Sequence, residues 1–144
     1  MDTAKTDFLA QKSLAVVGVS KSGGFGAMAF RELRKRGYQV FPVGRTADNI
    51  DGQPCAHSLD ELPQKVDAVV TIVPPAETEK VLDDCARLGI HHVWMQQGSE
   101  SPAAVEKAKA LGLSAVPGGC VLMYADPHSF HRAHAWVWKV LGKA

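Results

Sequence analysis

The stretch Gly18-Val19-Ser20-Lys21-Ser22-Gly23-Gly24-Phe25-Gly26 follows a short apolar run, and its residue types suit the holding of an anion. Small residues let the backbone come close to a phosphate, and the amides that open a following helix point at it. Ser20 and Ser22 add hydroxyl donors, and Lys21 adds a positive charge. Ser20 stands where a dinucleotide fingerprint has its second glycine, and no Gly-Lys-Ser/Thr triplet follows to make a Walker A loop. The turn reads as a phosphate holder; the plain alternative is a flexible turn without a ligand.

A second group comes at Phe41-Pro42-Val43-Gly44-Arg45. An NAD site places Asp or Glu at the end of this second strand, to accept hydrogen bonds from the ribose hydroxyls. Here Gly44 and Arg45 stand instead. A guanidinium suits a phosphate carried on the ribose, as in NADP or coenzyme A. The alternative is an ordinary surface arginine.

The remaining reactive side chains point to less. His128, His131 and His134 recur every three residues without a carboxylate or cysteine at matching spacing, so they read as a helix surface and not a metal site. His91 and His92 alternate across a strand and cannot face one ligand. Cys55, Cys85 and Cys120 lack metal-type spacing and read as reduced thiols, with Cys120 either a packed thiol or a reactive one. Arg31, Arg34, Lys35 and Arg36 read as the solvated side of a helix, and no residue is assigned a catalytic role.

These groups sit between strands and helices that alternate. Leu14–Val19, Tyr38–Val43, Asp67–Val73, His91–Gln96 and Leu113–Val116 read as strands, with a short edge strand at Gln53–Ala56. Asp67–Val73 is apolar after its first residue except at Thr71, as expected of a parallel strand covered on both faces. Helices are expected from Phe25 to Arg36, along Val81, Leu82, Cys85 and Leu88, and from Ser101-Pro102 to Leu111. Gly37, Gly89 and Gly112 end them. A brief helical turn follows Ser58, and Asp126-Pro127 starts a last helix that carries Trp136 and Trp138, read as packing or subunit contacts. The alternation predicts a single Rossmann-type α/β domain over residues 1–144. Its core runs from about 14 to 120, its last helix covers about 127–141, and its sheet order is 3-2-1-4-5-6. Ligands then bind beyond the carboxyl ends of the strands, where the order reverses between strands 1 and 4.

Composition agrees. The 144 residues are 46% hydrophobic and 22% charged, enough for one core, and the net charge of +1 gives no reason to expect nucleic acid or an anionic membrane as partner. No apolar run approaches the ~20 residues that span a bilayer. Met1–Gln11 lacks the pattern of a signal peptide, so the expected compartment is the cytoplasm.

In its order of motifs the chain resembles the small CoA-binding proteins that share the Rossmann domain of the succinyl-CoA ligase alpha subunit. The resemblance rests on Ala15-Val16-Val17-Gly18-Val19-Ser20, Gly37-Tyr38-Gln39-Val40-Phe41-Pro42-Val43, Ser58-Leu59-Asp60-Glu61-Leu62-Pro63 and Val93-Trp94-Met95-Gln96-Gln97-Gly98. It implies that Gly18, Val19, Ser20, Lys21 and Ser22 hold the CoA pyrophosphate. It also implies that Val43, Gly44 and Arg45 flank the adenosine and its 3′-phosphate, and that Val73, Pro74 and Pro75 wall the pocket. Trp94, Gln96 and Gly98 would line the side where the pantetheine runs, and Cys120 falls where the family often has a cysteine. With no second domain or ATP-binding module in view, the expected function is binding of CoA or an acyl-CoA without catalysis. The alternatives are an NADP-type oxidoreductase or its remnant, and a partner subunit that uses the fold for assembly with the tryptophan-bearing last helix as its interface; a homodimer is the expected assembly where the chain pairs with itself.

Overall fold

Ala68–Thr71 forms a strand buried at all four residues, in the middle of a five-stranded sheet. The computed structural model describes residues 3–20 and 23–124. Along the chain come α1 (Thr3–Leu9), β1 (Ser13–Val17), α2 (Gly24–Lys35), β2 (Gln39–Val43), β3 (Asn49–Ile50), β4 (Gln53–Pro54), a 3-10 turn (Leu59–Glu61), β5 (Ala68–Thr71), α3 (Pro75–Leu88), β6 (His92–Met95), α4 (Pro102–Ala110), β7 (Ser114–Pro117) and α5 (Val121–Tyr124). The sheet order is β2-β1-β5-β6-β7, and every pairing in it is parallel.

This is the expected Rossmann-type α/β architecture with one strand fewer in the sheet. Gln53–Pro54 pairs antiparallel with Asn49–Ile50 as a separate hairpin, and only Ala56 reaches the sheet, through a single parallel bridge to Val43. Pro54 has no N–H for a ladder, and Asp51-Gly52, both at positive φ, close the chain into a tight turn before it. The last helix expected from Asp126 lies outside the described residues.

Side chains alternate between two apolar layers, as the pleat requires. Leu14, Val16, Val70 and Trp94 face one side, where Phe8 of α1, Phe30 and Leu33 of α2 and Val121 of α5 close over them. Ala15, Val69, Val93 and Met95 face the other, under Val81, Leu82 and Cys85 of α3 and Ala104 and Ala108 of α4. α4 begins as its sequence dictates: the Ser101 hydroxyl accepts from the Ala104 amide at 3.0 Å, with Pro102 next in line. The helix α1 was not foreseen. Its Phe8 meets Trp94 edge-on at 5.4 Å, and the Tyr38 hydroxyl donates to the Leu9 carbonyl at 2.8 Å.

The pairing register aligns Val43, Val17, Thr71, Met95 and Pro117, so all five strands finish on one line. Beyond it the backbones draw together. The amides of Gly18 and Val19 both donate to the Val43 carbonyl, at 2.9 and 3.0 Å, and Ile72 donates to Val17 at 2.7 Å. A Cβ on Gly18 (φ +117) would strike the Ile72 carbonyl oxygen, and one on Gly44 would strike that of Val19. Gly52 (φ +81) has open space around it.

Two outcomes follow from this packing. Gly18→Ala should destabilise the fold by at least ~2 kcal/mol more than Gly52→Ala, which carries only the left-handed strain of about 1 kcal/mol. Urea denaturation measures both, and equal losses would refute the steric account. Burial pushes the Tyr38 phenol up to about 12, against a smaller lowering by Arg36. Below pH ~10 folded and unfolded chains both keep the proton. Above it the unfolded chain ionises first, so stability falls until the folded phenol titrates. At pH ~11 the wild type should have lost about 1 kcal/mol relative to Tyr38→Phe, and parallel denaturation curves of the two across pH 9–11 test this.

Candidate functional site

A cleft of about 510 Å³ opens beyond the ends of β1, β2 and β5, where the strand order reverses. Its floor is the chain leaving β1, Gly18 to Ser20. One wall is the end of β2, Val43 to Thr46, continued by His57, Ser58 and Leu59. The opposite wall is Ile72, Val73 and Pro74 and then one face of α3, on which Glu77, Lys80, Val81 and Asp84 fall at helical spacing.

A buried trio of hydroxyls seats α3 on the sheet. Ser99 Oγ lies 2.7 Å from Thr71 Oγ1 at the end of β5 and 2.5 Å from Thr78 Oγ1 on α3. All three side chains are buried. The trio ties the first turn of α3 to β5 and to the loop after β6, and so fixes where the cleft wall stands.

Charges line the cleft in pairs. Arg45 Nη2 meets Glu77 Oε1 at 3.1 Å across the mouth, with the Arg45 side chain 80% exposed. His57 sits between two carboxylates, Nε2 at 3.3 Å from Asp48 and Nδ1 at 3.9 Å from Glu61. Asp84 accepts from Arg87 at 2.8 Å, and Arg87 also grips Asp60 at 2.7 Å, which holds the Asp60 carboxyl below the usual carboxylate range. Lys80 has no carboxylate or hydrogen-bond partner among the described residues.

Of the residues singled out from the sequence, Gly18, Val19, Ser20, Val43, Gly44, Arg45, Val73 and Pro74 come together on this cleft. Pro75 opens α3 immediately behind Pro74. Lys21 and Ser22 lie outside the described residues, as do His128, His131, His134, Trp136 and Trp138.

Trp94 is not among the residues that line this cleft. It is fully buried in the layer under α1 and α5, between Phe8 and Tyr124, because it lies one residue inside the strand end and on the face away from α3. Gln96 is also turned inward: it is 5% exposed, and its Oε1 accepts from the Val121 amide at 3.1 Å. Gly98 is exposed on the next loop, where its amide donates to Glu100 at 2.7 Å. Cys120 is half-buried after Gly118-Gly119, whereas Cys55 and Cys85 are buried. Burial raises both buried thiols, Cys85 to about 12.

The sequence reading passed over Thr46, His57, Glu77, Lys80 and Asp84. For the last three the signal was present, since Glu77-x-x-Lys80-Val81-x-x-Asp84 places three charges beside the apolar stripe of α3. Among the described residues no group of His, Cys, Asp and Glu is arranged to hold a metal ion, and no helix is long and apolar enough to cross a membrane.

Comparison with known proteins gives this geometry a setting. The chain is 30% identical over 80 residues to an ADP-forming acetate–CoA ligase of Methanocaldococcus jannaschii, which covers 55% of this chain and 11% of the ligase. It is 25% identical over 126 residues to the alpha subunit of ADP-forming acetate–CoA ligase II of Pyrococcus furiosus, covering 79% of this chain and 28% of that subunit. The chain thus spans from about a tenth to somewhat over a quarter of the length of these two relatives. A solved structure of a hypothetical protein from Pyrococcus horikoshii superposes with a TM-score of 0.78 at 27% identity, covering 85% of this chain and 88% of that one. Residues 12–126 match the model of the CoA binding domain, and the chain belongs to that family.

Proposed function

We propose that this protein binds coenzyme A or an acyl-CoA in the cleft beyond β1, β2 and β5, without catalysis of its own. One observation carries the reading: in a chain of the CoA-binding domain family, the open cleft lies at the strand-order reversal, and the β2 end that borders it offers Gly44 and Arg45 where an NAD site has an acid. The pyrophosphate would lie along Gly18 to Ser22. Val43, Gly44 and Arg45 would flank the adenosine, with Val73, Pro74 and Pro75 opposite. The volume of about 510 Å³ suits the nucleotide half of the ligand. The pantetheine would then leave across the strand ends toward Gly98 and Cys120.

Calorimetric titration with CoA, NAD, NADP and ATP tests this proposal. CoA should bind most tightly, and an NAD or NADP affinity above that of CoA would replace it with a dinucleotide site. The thiol end has its own test. Incubated with CoA disulfide, the Cys120 thiolate would displace CoA thiol and form a protein–CoA mixed disulfide, while Cys55 and Cys85 are shielded. Intact mass should show one adduct that disappears in Cys120→Ser. An adduct that persists in that variant, or none in the wild type, removes Cys120 from the ligand's path.

A further inference from the structure

We propose that Lys80 of α3, and not Arg45, is the cation that distinguishes a ligand with a phosphate on its ribose from one without. The inference deepens the CoA reading and rests on it. Its starting point is the charge balance of the cleft. Glu77 is answered by Arg45 at 3.1 Å, and Asp84 by Arg87 at 2.8 Å. Lys80 stands between these two pairs on the same helix face and has no counter-ion among the described residues.

A phosphate brought to Arg45 meets the Glu77 carboxylate as well. Whether or not the ion pair opens, attraction and repulsion come from neighbouring points, and the net field there is weak. A phosphate brought to Lys80 loses no existing pair and gains an uncompensated positive charge. Lys80 is exposed, so its ammonium is hydrated and its stem is free to follow the ligand.

Placement agrees with the ribose end of the ligand. Lys80 lies one helical turn beyond Glu77, further along α3 from the strand end that it follows, and lines the same cleft as His57, Ser58 and Leu59. The Arg45–Glu77 pair acts as a tie between the two walls of the mouth, at the end of β2 and the first turn of α3.

The test is calorimetry on wild type, Lys80→Met, Lys80→Arg and Arg45→Met with CoA, dephospho-CoA and adenosine 3′,5′-bisphosphate. Lys80→Met should weaken CoA about tenfold, the lower end of a charge-assisted contact. It should change dephospho-CoA less than about twofold, and Lys80→Arg should keep most of the preference for CoA. Arg45→Met should weaken both ligands by similar small factors. A CoA-specific loss larger in Arg45→Met, equal losses on both ligands in Lys80→Met, or no loss at all would overturn the assignment. The third ligand separates the two levels. A wild type that ignores CoA but binds the bisphosphate in a Lys80-dependent way would refute the CoA reading and keep this inference. A wild type that binds neither refutes both.

Discussion

The close approach of three backbones at the ends of β1, β2 and β5 is the constraint from which the rest of the structure follows. Gly18 and Gly44 are there because the carbonyls of Ile72 and Val19 occupy the space a side chain would need. Both amides of the Gly18-Val19 pair converge on one carbonyl, that of Val43. With the junction drawn in this tightly, the chain leaving β1 lies against the ends of both its neighbours. The strand order reverses at this point, so helices leave to opposite faces and an open cleft remains between them. Packing of the junction and existence of the cleft are one geometric fact.

What the sequence made legible follows from period and punctuation. The apolar run through Ala68–Thr71 marked the central strand because only a strand covered on both faces tolerates such a run. Ser101-Pro102 marked the start of α4 because hydroxyl cap and proline act locally and need no distant partner. The floor of the cleft and its β2 wall were legible for the same reason: Gly18 to Ser20 and Val43 to Arg45 directly follow strands whose ends could be placed.

What was not legible depends on partners far along the chain. The helix α1 is held by Phe8 on Trp94 and by the Leu9 carbonyl under Tyr38, contacts that no local pattern announces. Trp94 and Gln96 follow the strand-end rule in position but not in direction. Trp94 is drawn inward by aromatic neighbours at 5.4 and 5.6 Å, and Gln96 by the open amide at the start of α5. The hairpin at Asn49–Pro54 stands in place of the edge strand expected at Gln53–Ala56, and Pro54 has no N–H to donate to a ladder there.

The position of α3 shows how a buried polar contact sets the electrostatics of a surface. Thr71, Thr78 and Ser99 carry three hydroxyls in an otherwise apolar layer, and Ser99 joins the other two, so removing its hydroxyl would leave the buried threonines with only their 3.5 Å contact, at a cost of about 1–3 kcal/mol. Because hydroxyl bonds are directional, the trio fixes the rotation of α3 as well as its distance from the sheet. Rotation decides which residues face the cleft. A helix turns 100° per residue, so a shift of one position would carry Glu77 away from Arg45 and Lys80 away from the opening. The ion pair across the mouth is exposed and contributes little to stability. Its geometry is therefore a consequence of where the hydroxyls seat the helix, and the charge pattern of the cleft is set from inside the core.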